Sequence, residues 1–277
     1  INYIRNSSIN NHLKKKYDLK EIEYKGNFIL KNFKLLIILF YKFDLILINW
    51  NTWSSFFIIK LINILKSKPI IYDAFTLIYE DYIDNTLKKK FLSNFFYKNI
   101  EKIIFNNCDA LLTDTISHKK KILNLKKSNT KILVLKVAQK NFSLSKRINS
   151  NNKIQLLHAG ANRKLHNVNK MIYLVFNLPA NLKKKICFTI IGKDYFEKYK
   201  KLINKLGCEK NIKLINTLKY DNYLKMIRKS DICLGLFGNS DKSQNVITNF
   251  IVTSINLGKI IITKNTKSSK LYLKDNE

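Results

Sequence analysis

Proline and glycine are scarce in this chain of 277 residues, which contains two prolines and seven glycines. Collagen-like and linker-like proteins are rich in both, so the composition excludes those classes. The hydrophobic fraction of 46% and the aromatic fraction of 12% are typical of a globular protein with a core. The length allows two domains of roughly 100–150 residues each.

Cysteine is also rare, and no two of the four cysteines have CxxC spacing. This argues against a zinc site and against a disulfide framework, and it favours a reduced, cytoplasmic compartment. The cysteines are Cys108, Cys187, Cys208 and Cys233. Long apolar runs are missing as well, because the longest uncharged run, Leu45–Ile59, is shorter than the ~20 residues that a membrane helix needs. No signal peptide is visible, and the chain does not begin with methionine.

Acidic residues number 19 against 51 basic ones, which gives a formal net charge of +32. One interpretation is an A/T-rich coding bias that places lysine at solvated positions. The other is a basic surface that attracts an anionic membrane, nucleic acid or a nucleotide. Nucleic-acid recognition favours arginine with interleaved aromatics. Neither is concentrated here, so we expect no nucleic-acid partner.

Short apolar runs alternate with helical patterns along the chain, which predicts an α/β fold with parallel sheets covered on both faces. A weak alternation at Tyr17–Tyr24 indicates an early strand, and Ile260–Thr263 is expected as a buried strand. The polar segment Gln139–Asn152 is typical of a linker. We therefore predict two Rossmann-like, doubly wound domains that face a cleft, at residues 1–140 and 153–277, with a linker at 141–152.

The segment Ser230–Thr266 is predicted to form a strand, a loop, a helix from Asn249 and a second strand, with Gly258 at the helix C-cap. Loops after parallel strands, and helix N-termini, favour anions. Gly238 and Asn239 lie in this loop and are candidate diphosphate-binding residues. The alternative is an ordinary βα loop, which also carries small polar residues.

A second loop, Gly160–Asn167, follows a predicted strand and contains Arg163, Lys164 and His166. These side chains could neutralise charge on a leaving nucleotide. The alternative is a solvated basic loop in a lysine-rich protein.

Carboxylates follow first-domain strands, where they would face a cleft in a doubly wound sheet. Helix capping is the alternative for this group. The group consists of Asp73, Glu80, Asp81 and Asp114. His118 lies near Asp114 in the sequence, and we expect it at the surface.

Residues 231–266 resemble the strand–loop–helix signature of the retaining glycosyltransferases of family 4, within the glycosyl transferases group 1, which have the GT-B fold. The matching sequence is DICLGLFGNSDKSQNVITNFIVTSINLGKIIITKNT. Leu165 and His166 match a Leu-His pair of the same group. PIIYDAFTLIYEDYI and CDALLTDTISH are similar to its first-domain motifs.

The resemblance implies transfer of a sugar, with retention, from a nucleotide-diphosphate donor to a glycan or lipid-linked acceptor, in cell-surface polysaccharide or glycolipid assembly. It implies no metal and no cofactor. His166 and Asp73 would be catalytic, and Tyr79, Glu80 and Asp114 would line the acceptor side. The donor would contact Gly160, Arg163, Lys164, Gly238, Asn239, Asn249 and Thr253.

The sequence departs from the pattern of the group at several positions. Thr253 stands where the group has a ribose-binding Glu, and Phe250 stands where it has a Lys. Asn167 replaces a Gly, and Lys164 replaces a Pro. An alternative function is therefore a non-catalytic GT-B relative that acts as a binding or scaffold protein. A Gly-rich loop near residue 1 and a final helix are not visible, so truncation at both ends is expected. We also expect a cytoplasmic location, with the first domain bound peripherally to an anionic membrane surface.

Overall fold

The computed structural model describes residues 4–22, 32–86, 91–127, 129–137, 153–193 and 195–273. They form two compact units, Ile1–Val137 and Ala138–Glu277, each built on one parallel sheet. The predicted α/β class with two parallel sheets is confirmed. The predicted linker 141–152 lies outside the described residues, and the acceptor and donor roles of the two domains stay predictions.

The first unit contains a four-stranded sheet of order β1-β2-β3-β4, in which all pairs are parallel. Its strands are β1 Ile46–Asn49, β2 Ile70–Asp73, β3 Ala110–Thr113 and β4 Lys131–Val134. Its α-helices are α1 Ile4–Leu13, α2 Phe56–Ile64, α3 Ile78–Asn85, α4 Phe91–Asn106 and α5 Ile116–Leu125. Short 3-10 helices span Leu35–Phe40 and Trp50–Ser55.

Isoleucine and leucine make up most of the core of this unit, and three aromatic side chains meet at its centre. Tyr72 of β2 is buried between Phe56 of α2 and Phe105 of α4, and the Phe56 and Tyr72 rings meet edge to face with centroids 6.2 Å apart. Helices pack on the sheet because its apolar face must be covered. Asp109 accepts from the Ile70 amide at 2.7 Å and so fixes the entrance to β2.

The second unit contains a five-stranded parallel sheet of order β7-β6-β5-β8-β9. Its strands are β5 Ile154–Ala159, β6 Ile186–Ile191, β7 Ile212–Ile215, β8 Ile232–Leu234 and β9 Ile260–Ile262. Its α-helices are α6 Val168–Phe176, α7 Ala180–Lys183, α8 Tyr195–Lys205, α9 Tyr220–Lys229, α10 Asp241–Asn245 and α11 Asn249–Asn256. A 3-10 helix spans Ser269–Leu271.

Two separate apolar clusters lie in this unit. One joins α6 and α8 to Phe188 and Leu156, and the other joins α9 and α11 to Leu157 and Cys233. Leu156 and Leu157 are neighbours on β5, and successive strand residues point to opposite faces. Helices therefore cover both faces of the second sheet, as a doubly wound arrangement requires.

The end of α11 agrees with the prediction. Gly258 has φ +66°, its amide donates to Ile255 at 2.9 Å, and the Lys259 amide donates to Ser254 at 3.0 Å. This is a Schellman cap, in which the left-handed residue satisfies two carbonyls of the last turn. The predicted C-cap role of Gly258 is confirmed.

Two local predictions are wrong, and one helix was missed. Residues 17–22, the described part of the predicted strand Tyr17–Tyr24, form no strand, and helix α1 precedes them instead. β9 is not buried: it forms the sheet edge, and the side chains of Ile260 and Ile262 are 64% and 46% exposed. Helix α10, inside the loop after β8, was not predicted because five polar residues give no apolar period.

Candidate nucleotide-binding site

The strand order of the second sheet reverses at β5. This strand pairs with β6 on one side and with β8 on the other. In open α/β sheets, ligands bind outside the carboxyl ends of the strands at such a switch point. The loops that follow β5 and β8, Gly160–Asn167 and Gly235–Ser240, therefore flank the expected crevice.

These two loops are hydrogen-bonded to each other. The Gly238 amide donates to the Leu165 carbonyl at 2.9 Å, and the Phe237 amide donates to the His166 carbonyl at 3.4 Å. A Cβ atom on Gly238 would overlap the carbonyl oxygens of Lys164 and Leu165. Glycine is thus required at 238 because two backbones approach each other there. The structure brings together Gly160, Arg163, Lys164, His166, Gly238 and Asn239 in one pair of loops.

His166 is buried beneath this loop pair, with 5% of its surface exposed. Its ring meets the His158 ring edge to face at a centroid distance of 5.0 Å. A Cβ atom on Gly160 would overlap the His166 ring, so glycine at 160 makes room for it. Nδ1 of His166 is buried without a hydrogen-bond partner among the described residues. Such an atom lacks the partner that buried polar groups normally have.

Burial lowers the pKa of His166 well below its ordinary value, and electrostatic repulsion of its protonated form by His158, Arg163 and Lys242 lowers it further. Burial also lowers the pKa of His158 to about 4, although its Nδ1 donates to the Leu234 carbonyl at 2.7 Å. Both imidazoles are therefore neutral at pH 7. A neutral imidazole can donate a hydrogen bond to an anion without carrying charge into a buried site.

Asn167 lies in the left-handed region, with φ 48° and ψ 57°. It occupies the position where the resembled group has glycine. Asparagine enters this region more readily than most residues because its short polar side chain tolerates it. The departure from the pattern therefore keeps the backbone path that leads from His166 into α6.

Asn249 is the first residue of α11, and its Oδ1 is buried with no partner among the residues described. Thr253, one turn further on, is fully buried. Its hydroxyl donates to the Asn249 carbonyl at 2.7 Å and also has a side-chain hydrogen bond with Tyr223. The hydroxyl expected to meet the ribose is thus already used inside the protein.

Phe250 lies in the apolar cluster of α9 and α11, 4% exposed, with its ring 5.9 Å from that of His158. Phe250 therefore packs against the His158 ring, which in turn contacts His166. Asn239 contacts a cation, because the Lys264 ammonium donates a hydrogen bond to its Oδ1 at 2.7 Å.

The predicted acceptor-side residues lie in the first unit. Asp73, at the end of β2, is fully buried and bound bidentately by Arg5 of α1, at 3.1 Å and 3.0 Å. Burial raises the pKa of Asp73, and the contact with Arg5 opposes that rise. Arg5 also donates to the Leu135 carbonyl. The carboxylate therefore ties α1 to the sheet, a role that sequence reasoning did not assign to either residue.

His118 is not at the surface, which corrects the prediction. It is fully buried, with Nδ1 2.7 Å from Asp114 Oδ1 and Nε2 3.1 Å from Glu80 Oε2. Lys121 binds the second oxygen of Glu80. Glu80 and Asp114 are thus brought together through one imidazole. An i, i+4 spacing of Asp114 and His118 at a helix start was the available sequence signal.

Tyr79 lies under the Lys98 ammonium, which is 4.8 Å from its ring centroid. Across the described ranges, no group of three or more His, Cys, Asp or Glu side chains could hold a metal ion. In the same part of the chain, no helix is long and apolar enough to cross a membrane.

Residues 140–237 match the family model described as "Glycosyl transferases group 1". The resemblance to that group is confirmed for this segment. It includes the Gly160–Asn167 loop and ends before Gly238. The narrower assignment to family 4 stays a prediction. Comparison with curated protein sequences gives no significant match.

Solved glycosyltransferase structures share the GT-B fold of this chain. HepE of Anabaena, solved with UDP-glucose, is 12% identical with a TM-score of 0.67, and the alignment covers 96% of this chain and 73% of HepE. Sucrose-phosphate synthase of Thermosynechococcus elongatus is 11% identical with a TM-score of 0.67, over 87% of this chain and 62% of the enzyme.

WaaG, described as a glycosyltransferase involved in lipopolysaccharide biosynthesis, is 16% identical with a TM-score of 0.58. That alignment covers 73% of this chain and 62% of WaaG. The chain thus spans less than two thirds of WaaG and of the sucrose-phosphate synthase. At these identities the likeness establishes the fold.

Proposed function

We propose that this chain is a glycosyltransferase, or the larger part of one, that takes a sugar from a nucleoside-diphosphate donor and transfers it with retention to a glycan or glycolipid. The observation that carries the proposal is the buried, unpartnered Nδ1 of His166 at the switch point of the second sheet. The family match of residues 140–237 and the fold of nucleotide-sugar enzymes support it.

Breaking the bond between sugar and diphosphate leaves negative charge on the diphosphate. Hydrogen-bond donors that are already positioned at that charge lower the barrier most. In this proposal the neutral ring of His166 donates a hydrogen bond to the leaving diphosphate, and Arg163 and Lys164 supply positive charge from the same loop. Amides at the start of α11 add the favourable end of a helix dipole. The mechanism uses no metal and no cofactor.

Thermal unfolding with UDP-, GDP- and ADP-sugars tests the donor site. A ligand at 100 times its Kd stabilises the protein by about 2.7 kcal/mol. We expect one nucleotide to raise Tm and His166→Ala to abolish the shift. His12→Ala is the matched control because His12 is exposed. If no donor raises Tm at millimolar concentration, the proposal is wrong.

A second candidate, a non-catalytic GT-B relative that acts as a binding or scaffold protein, is favoured by Thr253. Its buried hydroxyl is already engaged by Asn249 and Tyr223, whereas the resembled group holds the ribose with a carboxylate. The two candidate functions differ in that only the glycosyltransferase would turn over a nucleotide-sugar donor. Release of nucleoside diphosphate with a glycan or lipid-linked acceptor would contradict the scaffold role.

We further propose that the enzyme acts in polysaccharide or glycolipid assembly at the cytoplasmic face of a membrane. Helix α4 supports membrane contact, since it exposes a row of large apolar side chains beside Lys98 and Lys102. The row consists of Phe91, Leu92, Phe95 and Phe96. Basic and aromatic surfaces bind anionic lipid headgroups.

Sedimentation with anionic and with zwitterionic vesicles tests this contact. We expect salt-sensitive binding to the anionic vesicles, weakened by Phe91→Ser with Phe95→Ser. Equal binding to both vesicle types, or none, would contradict it.

A further inference from the structure

Helix α2 turns large apolar side chains away from the core of the first unit. Ile59 and Ile62 are buried in the apolar cluster of this unit. Leu61 and Ile64 are each 67% exposed, and Phe57 is exposed as well. Because an α-helix turns about 100° per residue, these three side chains lie on the side opposite to the buried pair. The outer side of α2 is thus an apolar stripe, which core packing does not explain.

Helix α4 carries a second outward stripe. Ile103 is 44% exposed and lies two turns beyond Phe96, on the same side of the helix. Ile104 and Phe105 are buried and face the core. The exposed apolar side chains of α4 therefore continue from the row at its start to its last turn.

The two stripes lie on the same side of the unit. Buried residues of α2 and of α4 belong to one apolar cluster with the first sheet. Lys60 of α2 donates to the carbonyl of Asn107, directly after α4, at 2.9 Å. The ring of Trp53, three residues before α2, meets that of Tyr97 in α4 at a centroid distance of 5.9 Å. The helices therefore run side by side in the same direction, and their outer stripes form one surface.

The charges of this surface have one sign. Lys60 lies on α2, and Lys98 and Lys102 lie on α4. Helix α2 contains no acidic residue, and the one carboxylate of α4, Glu101, is buried. Lysines beside apolar side chains complement anionic lipid headgroups and the acyl region beneath them. A second copy of this chain would bring lysine against lysine, so the charges favour an anionic bilayer.

We propose that α2 and α4 together form a bilayer-binding face, on which the first unit lies with its sheet parallel to the membrane plane. The face is centred on Leu61, Ile64, Leu92, Phe95, Phe96 and Ile103. The inference rests on the proposed function for its membrane partner. It extends the contact from the start of α4 to α2, and two helices side by side fix an orientation that a single row does not. Exposed apolar patches of this kind mark interaction sites.

Sedimentation with vesicles of equal parts phosphatidylglycerol and phosphatidylcholine tests the role of α2. We expect Leu61→Ser with Ile64→Ser to weaken binding at least about tenfold, because two large apolar side chains no longer leave water. Leu61→Phe with Ile64→Phe keeps apolar side chains at both positions and should retain the affinity within about threefold. If the double serine variant does not melt cooperatively, Leu61→Ser alone replaces it, with an expected loss of about threefold or more.

Leu133→Ser with Leu135→Ser is the matched control. Both leucines are exposed to a similar degree, at 45% and 42%. Leu133 follows Ile132, which belongs to the core cluster, and successive strand residues point to opposite faces. Leu133 therefore lies on the side of the sheet away from α2 and α4, and the control should bind vesicles as the wild type does.

The remaining outcomes separate this inference from the proposed membrane contact of α4. A folded α2 serine variant that binds like the wild type, while Phe91→Ser with Phe95→Ser loses binding, overturns the inference and leaves the α4 contact standing. Equal losses in the α2 variant and the β4 control also overturn it. So does a wild-type dimer in the absence of vesicles that the α2 serine variant abolishes. A wild-type chain that binds no vesicles overturns both membrane proposals, whereas the donor site is tested independently by thermal unfolding.

Discussion

Nδ1 of His118 lies 2.7 Å from Oδ1 of Asp114, four residues earlier in the chain, and neither side chain is more than 1% exposed. Since Nε2 faces Glu80 at 3.1 Å, the ring joins α5 to α3 and to the end of β3. Burial alone would lower the pKa of His118, but the charge and hydrogen bond of Asp114 and the contact with Glu80 raise it to about 9. The imidazolium is thus part of the folded structure at neutral pH.

This relationship predicts a loss of stability in alkali. The folded pKa of His118, about 9, exceeds its ordinary value of 6.5, so its contribution is complete below pH 6.5 and disappears as pH rises through 9. The shift corresponds to roughly 3 kcal/mol. We expect the free energy of unfolding in urea to fall between pH 7.5 and 10 in the wild type and much less in His118→Gln.

His12→Gln, an exposed substitution, should follow the wild type. Glu101, whose pKa burial raises to about 7, also faces His118, and most of its titration is complete below that range. Lys121 pairs with Glu80 on the other side of the ring. Burial opposes ionisation of Glu80, but His118 and Lys121 lower its pKa, so its own contribution is lost only in acid. Parallel pH curves for the wild type and His118→Gln would contradict the prediction.

The Arg5–Asp73 pair predicts a second large effect. Removing one partner of a buried ion pair leaves an uncompensated charge and costs about 3–5 kcal/mol. We expect Arg5→Met to lower the free energy of unfolding by that amount and Arg5→Met with Asp73→Leu to recover most of it. Lys14→Met is the control, since its pair with Glu21 is 53% and 42% exposed and such pairs contribute little. An equal effect of the two single variants would refute the distinction.

Two glycines of the second unit are expected to affect different properties: Gly160 the binding of nucleotide, and Gly207 the stability of the fold. Gly160→Ala places a methyl group against the His166 ring, so we expect nucleoside-diphosphate binding to fall by at least tenfold. Gly207→Ala has open space around its Cβ position and a φ of +62°. It should cost about 1 kcal/mol of stability and leave binding unchanged. Titration calorimetry and thermal melts measure both, and weakened binding in Gly207→Ala alone would contradict the argument.

Local patterns predicted the framework of the fold well. The alternation of short apolar runs with helical patterns predicted parallel sheets covered by helices, and both sheets are parallel. Gly258 was placed correctly because a left-handed C-cap has its own residue preference. These features depend on a few neighbouring residues, which a sequence displays directly.

Features that depend on distant partners could not be predicted. Helix α1 has no apolar face of its own and is held by Arg5 on Asp73, 68 residues away. The buried ring of His118 contacts Glu80, 38 residues away, and Lys242 is buried in the loop after β8. In a lysine-rich chain, no local signal distinguishes one buried lysine from the solvated ones.

Asn167 provides the last prediction, because its left-handed backbone joins the His166 loop to α6. Asn167→Gly should leave the stability unchanged within about 0.5 kcal/mol, since glycine adopts positive φ freely. Asn167→Ala should cost about 1–2 kcal/mol, the penalty for a Cβ atom in this region. Asn169→Ala, an exposed substitution in the first turn of α6, is the matched control and should cost less than about 0.5 kcal/mol. Urea unfolding of the four proteins measures these differences. If Asn167→Ala and Asn167→Gly are equally stable, the left-handed turn does not constrain this position, and the match between Asn167 and the group's glycine loses its physical basis.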